Sequence, residues 1–273
     1  MPGLDAGAMP SFALALLGAG LLAGFLGGLI GAGGGLIVVP MLYHTFEGLG
    51  VDPAVRMHMA VGTALAAVVP TALLGARTHW LRGNVSLAIF KKLALPVLLG
   101  STLAGAMAGN VNSGALSLVF ALAATVIAVN MMLKNGWVLR DGLPGPVGCG
   151  LIGAALGSIS TLVGIGGATL AVPVLHALRT PMPIAVGTAA TLGALVGLPG
   201  AIAFGVSGLG VPGLPPGCVG YVSLAAAAIV FPASAVAISF GARFTQRVNE
   251  RLLRTLFAFF LVLTAVRMLL ALS

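Results

Sequence analysis

The chain carries very little charge. Of its 273 residues, 7% are charged and 59% are hydrophobic, and the mean hydropathy is +1.15. A soluble domain carries about 25% charged residues. The composition therefore indicates an integral membrane protein. Its length holds roughly eight to ten membrane segments of about 20 residues, which leaves no room for a soluble domain.

Carboxylates are absent from the predicted membrane segments. The acidic residues all lie in predicted loops or at segment edges: Asp5, Glu47, Asp52, Asp141 and Glu250. This distribution argues against a proton relay or a cation site built from buried carboxylates. The chain also lacks a Walker loop, a metal-spaced His/Cys cluster and a nucleophile–base pair. We therefore expect no enzyme activity, no cofactor and no metal site.

Cysteine is almost absent as well. Cys149 and Cys218 both lie beside glycines at predicted segment edges. Small apolar fillers are the favoured interpretation, ahead of a disulfide or a reactive thiol.

The apolar runs predict ten membrane segments. Helices are the expected spanning form, because the backbone must satisfy its own hydrogen bonds in lipid and the runs are too long for barrel strands. The segments are 12–31, 36–46, 57–76, 93–110, 114–133, 146–164, 168–178, 183–206, 219–241 and 252–271. At 1.5 Å per residue, 36–46 and 168–178 are about 16 Å long, which is half a bilayer. Each is predicted to be one arm of a broken hairpin.

Two phrases occur twice in the chain. Gly31-Ala-Gly-Gly-Gly-Leu-Ile-Val-Val-Pro40 returns as Gly164-Ile-Gly-Gly-Ala-Thr-Leu-Ala-Val-Pro173, and Ala60-Val-Gly-Thr-Ala64 returns as Ala185-Val-Gly-Thr-Ala189. The duplication predicts two repeats, 1–137 and 138–273, within a single transmembrane domain. Duplicated, glycine-broken hydrophobic segments are typical of the binding site of a membrane transporter.

The basic residues predict the topology. If each glycine cluster merely interrupts one span, the thirteen basic residues divide seven to six between the two sides. If each broken segment enters and returns, with the N-terminus outside, eleven are cytoplasmic and only Arg56 and Arg267 are not. The positive-inside rule favours the second arrangement. It inverts one repeat relative to the other, places both termini outside, and explains the net charge of +8 without nucleic acid.

The glycine clusters favour an anion site. Several glycines in five positions end a helix, and the N–H groups freed there need partners inside a membrane. An anion supplies such partners at the N-terminus of a helix that restarts at Leu36 or Thr169. The alternative is close helix packing through small residues, but the recurrence of the cluster in both halves favours a ligand.

The predicted substrate site combines glycines and hydroxyls of both halves. Its residues are Gly33, Gly34, Gly35, Gly62, Thr63, Ser160, Gly166, Gly167, Thr169, Gly187 and Thr188. A membrane threonine commonly bonds its own helix, whereas Thr63 and Thr188 belong to matched phrases. His176 stands where the first half has Tyr43. It is either a buried, hydrogen-bonded histidine or a titrating or ligand-contacting residue, through which protons would be coupled to transport.

These motifs resemble the sulfite exporter TauE/SafE family. The likeness rests on Gly27-Gly-Leu-Ile-Gly-Ala-Gly-Gly-Gly-Leu-Ile-Val-Val-Pro40 with Ala60-Val-Gly-Thr63, and on their second-half copies, and it covers about residues 12–271. It implies a transporter of the inner (cytoplasmic) membrane that moves small sulfur-containing anions, such as sulfite or organosulfonates, usually outward. Ala168 departs from the pattern, since the first half has Gly35, so the hairpins are expected to contribute unequally.

The sequence thus predicts an all-α integral membrane protein of two inverted repeats, with about eight full transmembrane helices among its ten membrane segments. Its broken hairpins, 31–35 and 164–168, would meet near the bilayer middle around a small oxyanion. A passive anion channel and a non-transporting scaffold, whose glycines serve packing alone, are the alternatives. The expected partners are a small anionic substrate and membrane lipids, a homodimer is compatible with the sequence, and nucleic acid is not a partner.

Overall fold

The fold is almost entirely helical. The computed structural model describes residues 8–30, 35–132, 141–244 and 250–270. The helices in these ranges are α1 (Ala8–Ile30), α2 (Gly35–Gly48), α3 (Pro53–Leu81), α4 (Leu87–Ala108), α5 (Ser113–Met132), α6 (Pro146–Val163), α7 (Ala168–Ala177), α8 (Met182–Ser207), α9 (Leu224–Phe244) and α10 (Glu250–Leu270). Between α8 and α9, strands β1 (Cys218–Val219) and β2 (Val222–Ser223) form an antiparallel hairpin.

The helix lengths confirm the prediction of an all-α membrane protein. Within the described residues, α3, α4, α5, α6 and α8 are long and apolar enough to cross a membrane, and shorter apolar stretches lie in α1, α7, α9 and α10. The ten-residue α7 is about 15 Å long, half the hydrocarbon thickness. The predicted start of the ninth segment, at 219, is wrong, because the β-hairpin delays α9 until Leu224.

Capping side chains fix several helix starts. The Asp52 carboxylate accepts a hydrogen bond from the backbone N–H of Ala54 at the start of α3, and Pro53 supplies the first helical residue without losing a needed donor. Ser86 caps α4 by accepting from the N–H of Ile89. Ser223 caps α9 by accepting from the N–H of Ala226. Each cap satisfies a backbone donor that has no partner within its helix.

The two halves of the chain interlock through matched glycines. A Cβ at Gly20 of α1 would come within 2.8 Å of the Val230 carbonyl oxygen on α9. A Cβ at Gly153 of α6 would come within 3.2 Å of the Leu93 carbonyl oxygen on α4. Small residues four positions further on, Gly24 and Gly157, approach the backbones of Ser234 and Val97 in the same way. Each first helix thus packs closely against a helix of the opposite half.

The central pair, α3 and α8, runs antiparallel. Gly62, near the start of α3, packs against Phe204, near the end of α8. Further along α3, Gly75 packs against Ala190, near the start of α8. The duplicated Val-Gly-Thr phrase therefore lies on two helices of opposite direction. The predicted repeat boundary at 137/138 lies outside the described residues.

The antiparallel pair defines two faces of the molecule. We call the side at which α3 begins the α3 face and the side at which α8 begins the α8 face. The loop after α3 reaches the beginning of α8, where Asn84 contacts Gly187. The basic residues of that loop and its flanking helix ends therefore lie towards the α8 face, together with Arg179: Arg77, Arg82, Lys91 and Lys92.

The α3 face carries a compact charged cluster around Arg56. The Arg56 guanidinium donates to the Val51 carbonyl oxygen at 2.9 Å and lies 3.2 Å from a Glu47 carboxylate oxygen. Glu47 also lies 3.0 Å from Nδ1 of His44, and the guanidinium carbon lies 5.5 Å from the centre of the Tyr43 ring. Arg56 is the one basic residue of the first repeat that the sequence predicts outside the cytoplasm, and it is paired with Glu47.

Candidate functional site

A glycine turn joins α6 to α7 at the centre of the molecule. Gly164 ends α6 in the left-handed conformation, with φ 75°, and Gly167 precedes α7 with φ 58°. The backbone N–H of Ile165 folds back onto the Ser160 carbonyl oxygen at 3.0 Å. Only glycine adopts these positive φ values at low cost. The second copy of the duplicated phrase therefore breaks the helix, as predicted.

The glycine turn is enclosed by α2, α3 and α8. A Cβ at Gly35, the first residue of α2, would lie 3.1 Å from the Ile165 Cα. A Cβ at Gly164 would lie 2.7 Å from a Val39 methyl group, and Gly193 of α8 packs directly on the Gly166 carbonyl oxygen. The start of α2 and the glycine turn are therefore in contact at the middle of the helix bundle. Gly33 and Gly34, also predicted for the site, lie outside the described residues.

Ser160 is a buried hydroxyl without a partner. It lies in the last turn of α6 with 0% exposure, and its Oγ finds no hydrogen-bond partner in the part of the chain that the structure describes. Leaving a buried hydroxyl unpaired costs about 1–3 kcal/mol. A ligand oxygen next to the glycine turn would remove that cost.

The neighbouring hydroxyls are, by contrast, fully engaged. Thr161 Oγ1 donates to Ser101 Oγ at 2.8 Å, and Ser101 Oγ donates to the Val196 carbonyl oxygen at 3.1 Å. Ser158 Oγ donates to the Gly100 carbonyl oxygen at 3.1 Å. These bonds tie α6 to α4 and α8. Sequence analysis missed Ser101, since a single serine in an apolar run does not reveal a cross-helix partner.

The first turn of α7 points its dipole at the glycine turn. Gly167 is the N-cap residue of α7 and provides no side chain. The positive end of the dipole favours an anion there, and the Ala168 N–H at this end donates to the Gly166 carbonyl oxygen within the turn. Thr169 is buried in this first turn. The structure thus brings together Gly35, Ser160, Gly166, Gly167 and Thr169 from the predicted set.

The matched threonines serve as braces between the two halves. Thr63 Oγ1 on α3 accepts a hydrogen bond from the Ser223 N–H at 3.0 Å, just before α9. Thr188 Oγ1 on α8 accepts from the Ser86 N–H at 3.0 Å, just before α4. Both threonine side chains are fully buried. Each one therefore holds the capping residue of a helix from the other half.

The glycines beside the threonines allow these close approaches. A Cβ at Gly62 would lie 2.9 Å from the Tyr221 carbonyl oxygen, and one at Gly187 would collide with the Asn84 carbonyl oxygen. The Val-Gly-Thr phrase is thus a docking motif: its glycine admits a loop backbone and its threonine bonds the next helix cap. We call the two contacts the α3 brace (Gly62, Thr63) and the α8 brace (Gly187, Thr188).

The braces lie too far apart to share a small ion. Gly62 packs on Phe204, and Thr188 lies sixteen residues before Phe204 on α8, which is about 24 Å along the helix at 1.5 Å per residue. The predicted site, in which Thr63 and Thr188 hold one oxyanion together, is therefore corrected. In an inverted repeat, equivalent residues converge only near the symmetry axis, and these threonines lie well away from it.

The histidines also differ from expectation. His176 is exposed near the end of α7, so the interpretation of a buried histidine at that position is wrong. The buried histidine is His58 on α3, at 3% exposure. Sequence analysis passed over His58, although an ionisable residue inside an apolar segment is by default a functional candidate.

A concave region lies away from the glycine turn. This cavity of about 580 Å³ is bounded by α1, α2 and α10, and its polar lining includes His44, Thr45 and Thr264. Thr45 Oγ1 and Thr264 Oγ1 both donate to carbonyl oxygens of their own helices, at 2.7 and 2.8 Å. None of the predicted site residues lines it.

Oppositely directed halves braced against each other, with a helix broken by glycines where the halves meet, are features found in membrane transporters. The comparison with protein families agrees with this class. The model described as "Sulfite exporter TauE/SafE" matches residues 16–268. The chain therefore belongs to the TauE/SafE family and is a multi-pass membrane transporter.

Curated relatives carry the same general description. A probable membrane transporter protein of Haemophilus influenzae is 33% identical over 95% of this chain and 99% of its own length. Probable membrane transporter protein MJ0441 of Methanocaldococcus jannaschii is 28% identical over 68% of this chain and 69% of its own. YunE of Bacillus subtilis, also a probable membrane transporter protein, is 28% identical over 69% and 77%. No solved structure matches the chain significantly.

Proposed function

We propose that this transporter moves small sulfur-containing oxyanions, such as sulfite or organosulfonates, and binds them at the glycine turn between α6 and α7. The name of the family supports the substrate class. The observation that carries the proposal is the Ser160 hydroxyl, which is completely buried and unpaired one helical turn before Gly164.

The chemistry around the turn suits an oxyanion. The Ser160 hydroxyl is a hydrogen-bond donor and the start of α7 presents the positive end of its dipole, whereas the oxygens of sulfite or a sulfonate accept hydrogen bonds. The side chains that pack on the turn are neutral, among them Val39, Val61, Val68 and Val196. A low-dielectric surrounding strengthens each donor–anion bond. Donors without competing carboxylates therefore favour an anion over a cation.

The membrane orientation follows from the charged faces. The α8 face gathers basic loops and helix ends, whereas Arg56 on the α3 face is paired with Glu47. By the positive-inside rule the α8 face is cytoplasmic. The α3 face, the N-terminus and the C-terminus are then outside, in the inner membrane of the cell. Export would carry the anion from the basic α8 face to the α3 face.

Anion-dependent thermal stability tests the substrate class. The detergent-solubilised protein should unfold at a higher temperature in sulfite or sulfoacetate than in chloride at equal ionic strength, because a ligand that binds only the folded state adds RT ln(1 + [L]/Kd), about 2.7 kcal/mol at 100 Kd. Sulfate and thiosulfate complete the ranking. In a protein that only serves as a scaffold, sulfite and sulfoacetate would raise the unfolding temperature no more than the general stabilising effect of sulfate does at equal ionic strength, and that result would refute the proposal.

A further inference from the structure

His58 lies where three parts of the molecule meet on the α3 side. Its Nε2 is 2.9 Å from the Val111 carbonyl oxygen and 3.1 Å from the Ala108 carbonyl oxygen, at the end of α4. Its ring stacks on Tyr221, with 4.7 Å between centroids and 27° between planes. The ring of Phe204 is 6.4 Å away.

These contacts fix the protonation of the ring. Both neighbours of Nε2 are carbonyl oxygens, which only accept, so Nε2 must carry the hydrogen. Nδ1 then holds a lone pair. It is buried and has no hydrogen-bond partner among the described residues. His58 is therefore a neutral imidazole with an open proton-accepting nitrogen.

Two features of the surroundings favour a cation on His58, while burial of the ring opposes it. The Ala108 carbonyl group lies at the negative end of the α4 dipole, the Val111 carbonyl group belongs to the turn that follows, and the Tyr221 ring offers its face to a cation. The obstacle is the new Nδ1–H, which would be buried without an acceptor. Proton binding is therefore disfavoured only while the packing around Nδ1 stays closed.

The other titratable groups described near His58 do not supply an acceptor for a hydrogen on Nδ1. Arg56, on the same helix, is bonded to Val51 and Glu47. From the segment before α9, Tyr221 presents its ring face, and Cys218 is the other titratable residue of the β-hairpin. α4, α5 and α8 present Ala108, Ser113 and Phe204 at this level. No carboxylate is found among these described contacts, so the acceptor must come from water or ligand.

The element that closes this packing is the β-hairpin Cys218–Ser223. Three contacts hold it in place. The Tyr221 ring stacks on His58, and the Tyr221 N–H donates to the Phe204 carbonyl oxygen at 3.2 Å. The Ser223 N–H donates to Thr63 Oγ1. The α8 brace lacks such a histidine: Pro183, five residues before Thr188, stands where α3 has His58, five residues before Thr63. The two braces therefore differ in that only the α3 brace has a histidine five residues before its threonine, while His79 lies at the far end of α3, beside the loop that contacts the α8 brace.

We propose that Nδ1 of His58 is a proton-binding site, and that proton binding displaces the Cys218–Ser223 hairpin from α3. Displacement admits water, which accepts the Nδ1–H, so the displaced fraction rises as the pH falls. The site itself stands on the geometry of His58. Its role in transport rests on the proposed function, in which a proton from outside opens the α3 face for release of the anion.

Cys218 provides a native reporter for this displacement. Burial raises the pKa of its thiol, while a hydrogen bond with Ser223 opposes that shift. A displaced hairpin exposes the thiol and speeds its reaction with a maleimide. With Cys149 replaced by alanine in all variants, Cys218 is the only thiol. Because thiolate chemistry itself depends on pH, each rate is divided by that of His58→Gln at the same pH.

Between about pH 8 and about pH 5, the normalised labelling rate should rise about fivefold or more. Glutamine at position 58 keeps a donor for the two carbonyl oxygens but does not titrate. His79→Gln, on the same helix near the α8 face, should retain the rise. A ratio that stays constant with pH, or a rise that His79→Gln removes, would overturn the proposal.

Hydrogen exchange on the unmutated protein covers the case in which His58→Gln fails to fold. The Tyr221 and Ser223 amides should lose protection at acid pH, after correction for intrinsic exchange, while the Ser86 amide in the α8 brace keeps its protection. Equal protection of both braces at all pH values would overturn the proposal. These readouts need no substrate, so their failure is distinct from an absence of anion binding.

Discussion

Gly187→Ala is expected to reduce anion flux at least about tenfold and to destabilise the protein by about 1–3 kcal/mol. The new Cβ would occupy the position of the Asn84 carbonyl oxygen. The loop after α3 would have to move away, which would separate the Ser86 N–H from Thr188 and leave the start of α4 without its brace. Flux into proteoliposomes and thermal unfolding measure the two effects.

Gly75→Ala is the matched control for this variant. It also places a methyl group between α3 and α8, but its nearest neighbour, the Ala190 Cβ, would be 3.9 Å away, which is ordinary contact. We expect it to keep wild-type flux and to gain up to about 1 kcal/mol of helix stability. If the two variants had the same flux and the same thermal stability, the close approach of Asn84 to Gly187 would not matter for transport.

Ser160→Ala is expected to weaken anion binding about tenfold without loss of stability. A hydrogen bond to a charged ligand contributes about 1.5–3 kcal/mol, and the Ser160 hydroxyl has no partner to lose in the ligand-free protein. Removing an unpaired buried hydroxyl should leave the thermal midpoint unchanged or raise it. The measurement is the dependence of that midpoint on sulfite concentration.

Ser101→Ala should show the opposite pattern. Ser101 lies in the same buried region, but its hydroxyl accepts from Thr161 and donates to the Val196 carbonyl oxygen. Its loss removes the acceptor of the buried Thr161 hydroxyl and the bond between α4 and α8, so we expect a lower thermal midpoint and a nearly normal sulfite affinity. If Ser160→Ala lowered the thermal midpoint and left sulfite affinity unchanged, Ser160 would serve packing and not anion binding.

Most of the helical framework could be predicted because it depends on local properties. Apolar run lengths and glycine breaks placed the helices to within a few residues, including the half-length α7. The two largest differences among the helix starts are the start of α4, six residues before the predicted 93, and the start of α9, five residues after the predicted 219. The hairpin before α9 has only two residues in each strand. Such short strands are defined by their tertiary partners, and the sequence carries no period that would reveal them.

The positions of the candidate residues could be predicted only where they depend on local structure. Repetition indicated the helix break at Gly164–Gly167, which the structure shows, but it also placed Thr63 and Thr188 next to each other, which the structure does not. In an inverted repeat, equivalent residues lie on opposite sides of the symmetry axis. The further each residue lies from that axis, the further apart the two are. The partners of these threonines, Ser223 and Ser86, lie in the opposite half of the chain, and no local pattern identifies them.

Sulfite flux into proteoliposomes containing the purified protein tests the central claim most directly. The account predicts uptake above that of empty liposomes that saturates with sulfite concentration and is competed by sulfoacetate more than by chloride. Ser160→Ala should raise the half-saturating concentration about tenfold, with Ser101→Ala near the wild-type value. Uptake no greater than in empty liposomes, or flux that increases linearly and ignores Ser160→Ala, would contradict a sulfur-oxyanion carrier with its site at the glycine turn.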